Sequence, residues 1–122
     1  VSTFAGSSQA SAHLDGIGSN ARFTQPYGIT SDAIGNLYVA DAAGHVIRKI
    51  SPSGVVSTLA GVPNGPGNTN GASSVARFSN PVSVAVDAIG NVYVADLGNS
   101  QIRKITPSGI VSTVVGYNDG LR

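Results

Sequence analysis

Short apolar runs of five or six residues alternate with clusters of Gly, Pro, Asn, Asp and Ser along the whole chain, and β-branched and aromatic residues dominate the runs. That texture predicts strands separated by turns. Four strands, a to d, are expected in each half: a at 27–31 and 82–86, b at 36–41 and 91–96, c at 45–50 and 100–105, d at 55–60 and 110–115. A further copy of d falls at 1–6. Leu37-Tyr38-Val39 shows the alternation of a half-buried strand. Asp32-Ala33-Ile34-Gly35-Asn36 separates a from b, and Pro52-Ser53-Gly54 separates c from d, both built of turn-forming residues. No segment carries a helical period.

The pattern repeats. Val1-Ser2-Thr3-Phe4-Ala5-Gly6 recurs as Val56-Ser57-Thr58-Leu59-Ala60-Gly61 and again as Val111-Ser112-Thr113-Val114-Val115-Gly116, an offset of 55 residues each time. Ala21-Arg22-Phe23 maps onto Ala76-Arg77-Phe78, Tyr38-Val39-Ala40-Asp41 onto Tyr93-Val94-Ala95-Asp96, and Ile47-Arg48-Lys49-Ile50 onto Ile102-Arg103-Lys104-Ile105. Without a gap, 27 of 55 positions are identical between 1–55 and 56–110, so each half is one copy of a structural unit. Four antiparallel strands followed by a long connection describe the blade of a β-propeller.

The combined run of Pro, Asp-x-x-Gly-Asn-(apolar)-Tyr-Val-Ala-Asp, Ile-Arg-Lys-Ile-x-Pro-x-Gly and Val-Ser-Thr-(apolar)-x-Gly, present twice in phase over nearly the whole chain, resembles the NHL repeat. The b–c corner of such repeats often reads Asp-x-x-Asn-His. Here Asn99 is followed by Ser100, and His45 is preceded by Gly44. The resemblance implies an all-β fold of propeller blades, two per chain, and six-bladed rings. Two blades are a third of such a ring. A blade buries its two apolar faces only against neighbours, so the pair is expected either as an excerpt of a longer chain or as a homotrimer closed head to tail. The N-terminal Val and the lack of Met suggest a processed or excised piece. The chain divides into an extra outer strand at 1–6, a first blade with its preceding loop at 7–61, and a second blade with its loop and C-terminal tail at 62–122. In a ring one copy of d is redundant. Either 1–6 latches onto strand c of a neighbouring copy and displaces 110–115, or 110–115 stays and 1–6 frays.

Composition narrows the function. Charged residues make up 11% of the chain and the net charge is +1, which disfavours nucleic acid and anionic membranes as partners. No apolar run approaches the ~18 residues of a membrane span. Cys is absent, which removes disulfides and thiolate metal sites. Of 13 charged side chains, ten fall in the pairs Arg22/Arg77, Asp32/Asp87, Asp41/Asp96, Arg48/Arg103 and Lys49/Lys104. Reuse at the same blade position marks these as structural. Asp41 and Asp96 are expected to satisfy loop N–H groups or pair with an Arg, and Arg48 and Arg103 to lie on the outer surface or between strands. The two His residues, His13 and His45, have no partner at metal-ligand spacing, and three copies of His45 in a trimer should not converge within the ~2.1 Å of a shared zinc. Some members of the resembled family are metal-dependent lyases with several His around the channel, more than this chain supplies.

No cofactor, metal or catalytic group is therefore expected, and the chain reads as a non-catalytic module for binding and self-assembly. The turns a–b and c–d are shared between the halves, whereas the corner 42–45 differs from 97–100, and 7–20 shares only Gly16 and Ser19 with 62–75. Those divergent loops emerge on one face of a propeller, where binding residues commonly sit. His13, Asp15, Tyr27, His45, Asn68, Asn70, Leu97 and Asn99 are the candidates there. Tyr117 is the second non-repeated Tyr. The loops, rich in Ser, Asn and Gly, suit a protein, peptide or glycan ligand. An RNA-binding propeller and a fragment of a channel-site lyase or hydrolase are the alternative readings.

Overall fold

A computed structural model describes residues 1–8 and 11–116. Tyr117 lies outside them. The fold is all-β. Among the described residues ten strands run in chain order: β1 Gly16–Ile17, β2 Pro26–Ser31, β3 Leu37–Asp41, β4 Val46–Ile50, β5 Val55–Gly61, β6 Gly71–Ala72, β7 Pro81–Val86, β8 Val92–Asp96, β9 Gln101–Ile105 and β10 Ile110–Val115. They form two antiparallel sheets ordered β1-β5-β4-β3-β2 and β6-β10-β9-β8-β7. Each sheet is one blade. The four long strands coincide with a to d of the sequence within a residue or two. The expectation of four strands per blade is corrected to five, because two residues of each d–a loop fold back onto the outer strand, Gly16 opposite Val56 and Gly71 opposite Val111.

Residues 1–6 form no strand in this chain. A strand needs a ladder partner, and the outer side of β9 is already taken by β10, in register from Val111–Ile105 to Val115–Ile102. The latch is a contact between two chains and is not made within one.

Turn chemistry closes the strands. Asp32 accepts hydrogen bonds from the N–H groups of Ile34 and Asn36 and from the Asn36 amide, and Asp87 repeats the arrangement with Ile89 and Asn91. Tyr38 and Tyr93 add their hydroxyls to the same carboxylates. The Asn36 and Asn91 bonds hold both carboxyls below the usual range, while burial and the neighbouring carboxylate push both phenols up.

The core is the seam between the blades. Tyr38, Ala40, Ile47 and Ala60 of blade 1 pack against Phe78, Val84, Val92, Val94 and Ile105 of blade 2. Each such large side chain removed from water contributes roughly 1.5–3 kcal/mol. At the inner edge the strands β2 and β7 come close enough that a Cβ on Gly28 would lie 2.6 Å from the Val82 carbonyl oxygen. Only a glycine fits there.

Candidate functional site

The candidate residues sort into three settings, and the first is an Arg-centred clamp. Arg103 is fully buried on β9. Its Nη1 donates to the Arg77 carbonyl and to Asp96, both at 2.8 Å, and its Nη2 to the Thr69 carbonyl at 2.9 Å and the Asn70 side chain at 2.7 Å. Arg48 repeats this in blade 1, with the Arg22 and Leu14 carbonyls at 2.8 and 2.9 Å and Asp15 at 3.0 Å. Both guanidinium groups lie over the ring of the matching Phe, 4.7 Å from Phe23 and 4.9 Å from Phe78. The planar fork of arginine suits this reading of several carbonyls at once. The two arginines are therefore interior, not on the outer surface, and each ties the wandering d–a loop to its own blade.

Asp41 and Asp96 terminate the clamp. Asp41 accepts the N–H groups of Thr24 and Gln25 at 2.9 and 2.7 Å and faces Arg48 at 3.6 Å. Asp96 accepts the Ser79 N–H, the Arg103 guanidinium and the Asn99 amide, each at 2.8 Å. Burial pushes the Asp96 carboxyl up, against the pull of Asn99, Ser79 and Arg103. Gly44 explains the looser pair in blade 1: it stands where Asn99 stands, and its missing side chain is replaced by a second backbone donor. Asn99 also donates to the Gly67 carbonyl, which stitches the b–c corner to the d–a loop.

Asp15, Asn70 and His13 belong to the same clamp. Thr58 donates to Asp15 at 3.1 Å and meets the His13 Nε2 at 3.0 Å, and Thr113 pairs with Asn70 in the other blade. Desolvation first, then Arg48, keeps His13 below its ordinary range, and its buried Nδ1 finds no partner among the described residues. Asn68, one period after His13, is half-buried on the loop.

His45 occupies the second setting, the seam itself. Its backbone is left-handed, φ 61°, and its Nδ1 accepts the Asn80 N–H at 3.1 Å across the blades.

Tyr27 and Leu97 occupy the third, and they are far apart in kind. Tyr27 lines a cavity of about 330 Å³ on the open face of blade 1, beside Phe4, Ile29, Leu37 and Ile50. Leu97 lines one of about 230 Å³ on the open face of blade 2, beside Val82, Ile102 and Val115. These are the two faces a neighbouring blade would cover. The structure thus gathers His13, Asp15, Asn70 and Asn99 into structural networks and places Tyr27 and Leu97 on opposite outer faces.

The 55-residue period makes those faces measurable. Ile47 and Ala60 are 0% and 1% exposed where blade 2 covers them; their counterparts Ile102 and Val115 are 39% and 61% exposed. On the other side Val84 is 8% exposed and its counterpart Ile29 is 60%. Blade 1 therefore shows openly the face that blade 2 buries, and blade 2 shows the face that blade 1 buries. Both are apolar and free of charged side chains over the residues named. Sequence reading missed this role for Ile29, Ile102 and Val115; the signal was the offset, which pairs each with a core residue of the other blade.

Residues 78–105 match the NHL repeat. NHL repeat-containing protein 2 of Bos taurus is 37% identical over 93 residues, covering 74% of this chain and 13% of that protein. A solved structure of a structural-genomics protein from Bacteroides thetaiotaomicron superposes with a TM-score of 0.79 at 32% identity, over 89% of this chain and 27% of the other. An auxiliary nutrient binding protein from the same organism gives 0.74 at 27% identity, over 90% and 28%. The chain spans between an eighth and a third of these relatives.

Proposed function

This chain carries the NHL repeat, and from that premise we propose that it is a non-catalytic propeller module whose primary act is assembly through its two open blade faces. The partner is a second copy of the same chain, joined blade 2 to blade 1, and three copies close a ring of six blades. One observation carries the reading. The seam between blades 1 and 2 is a worked example of the joint required, and the residues on either side of it recur at the outer faces one period away, Tyr93 and Ile102 for Tyr38 and Ile47, Phe23 and Ile50 for Phe78 and Ile105. The net charge of +1 puts little repulsion between copies. Leaving both faces wet would expose more contiguous apolar surface than a monomer usually tolerates.

The ring would bring its loop ends together around one rim. The b–c corners and d–a loops share that end in each blade, joined by Asn99 to Gly67 and by the Asn64 N–H to the Gly44 carbonyl. A protein, peptide or glycan partner would meet neutral hydrogen-bonding loops there.

Light scattering on the eluting protein tests assembly. Three chains of 12.2 kDa predict about 37 kDa. A mass of one chain at every concentration overturns the reading and assigns both faces to further blades of a longer chain.

A further inference from the structure

Residues 1–6 sit on blade 1 in the place that β5 takes on blade 2. The Gly6 N–H donates to the Gly18 carbonyl at 3.1 Å; one period on, the Gly61 N–H donates to the Ser73 carbonyl at 3.0 Å. A Cβ on Gly6 would meet the Phe23 ring at 3.2 Å, and one on Gly61 would meet the Phe78 ring at the same 3.2 Å. Both glycines have positive φ, 93° and 104°. Phe4 approaches Gly54 as its counterpart Leu59 shares a cavity wall with Gly109. Ala5 packs on the cluster of Ala21, Val39, Ile50 and Val56. These contacts are those that β5 makes to blade 2, transferred to blade 1 without β5's ladder.

From this we infer that residues 1–6 are a displaceable plug on the assembly face of blade 1. The inference rests on the reading that copies join head to tail. In that joint, β10 of the incoming copy must take the seat relative to blade 1 that β5 takes relative to blade 2, and residues 1–6 already hold it. Two segments have one seat. β10 keeps it, because β10 is tied to β9 by its ladder and by the turn in which the Gly109 N–H donates to Thr106 and the Ile110 N–H to the Thr106 hydroxyl. A strand already ordered in its own hairpin loses little further conformational freedom when it takes the seat. Residues 1–6 have no such ladder and leave. In the lone chain they cover apolar surface; on assembly they give way to the matching strand of the neighbour.

The plug and the latch predict opposite signs for one substitution. Phe4 is half-exposed and its removal leaves both sheets intact. In Phe4→Ser the plug loses most of an apolar side chain, and the midpoint concentration of self-association, followed by sedimentation or light scattering on dilution, falls about tenfold. A latch would instead make Phe4→Ser associate more weakly. Amide exchange at Gly6 gives a second readout: on assembly its N–H passes from protected to free if the plug leaves. An unchanged or raised midpoint in Phe4→Ser, or a Gly6 amide that stays protected in the assembled protein, overturns the plug while leaving the ring in place. Failure of parent and variant alike to associate overturns both.

Discussion

Arg48 and Arg103 are fully buried, as are Asp41 and Asp96, and they work by holding backbone. Each binds two loop carbonyls, a loop side chain and a carboxylate. Carbonyls carry no side-chain identity, so the loops are free to differ between blades while the arginines are not. His13 departs from the symmetry in charge: it faces the Arg48 guanidinium and the carboxylates of Asp15 and Asp41, beside Thr58, where blade 2 has the uncharged Asn68. Its pKa is lowered on folding, so the unfolded chain binds the proton more tightly. The stability His13 contributes is complete above the ordinary value of 6.5 and is lost as pH falls through 6.5 toward its lower folded value. Replacing His13 by Asn should flatten the stability-against-pH curve as pH falls through 6.5. Urea midpoints across that fall in pH measure it, and equal slopes in parent and variant would refute it.

At the scale of elements, the seam depends on the close passage of β2 along β7. A methyl group on Gly28 would strike the Val82 carbonyl oxygen at 2.6 Å and the Ser83 Cα at 2.9 Å, both backbone atoms that cannot rotate away. Gly28→Ala should therefore destabilise the chain by about 1–3 kcal/mol, the usual cost of overpacking a core. A denaturant midpoint unchanged within error would show that the strands separate freely. The long strands were legible because runs of Val, Ile and Tyr end at Asp-Ala-Ile-Gly-Asn and Pro-Ser-Gly. The short strands β1 and β6 were not, since two residues carry no period; the shared Gly16 and Gly71 in otherwise divergent loops were their only mark. Divergence of the loops pointed to a binding face, yet Asp15, Asn70 and Asn99 diverge or persist for structural reasons that only the location of the arginine fork reveals.

At the scale of the whole molecule, the two open faces form a directional pair, one head and one tail. A charge on either should block only that side. Ile29→Asp damages the head and leaves the tail; Ile102→Asp does the reverse. Each variant alone should remain a single chain of 12.2 kDa, and an equal mixture should yield a two-chain complex of about 24 kDa and nothing larger. Rings formed by either variant alone, or no complex in the mixture, would exclude head-to-tail joining. Ser83 stands at the position of Gly28, so in the joint between copies β7 and the neighbouring β2 must stand further apart than β2 and β7 do within one chain.

The match between Gly6 on Phe23 and Gly61 on Phe78, identical to a tenth of an ångström, has a consequence for how such a gene changes. Misaligned recombination between two copies of the coding repeat inserts or deletes a whole period wherever the crossover falls within it. Every such product keeps each strand against the neighbour it is built for. Events out of step by any other length move apolar side chains off the seam and are lost. A change of blade number by whole periods therefore leaves each remaining seam built as it is here.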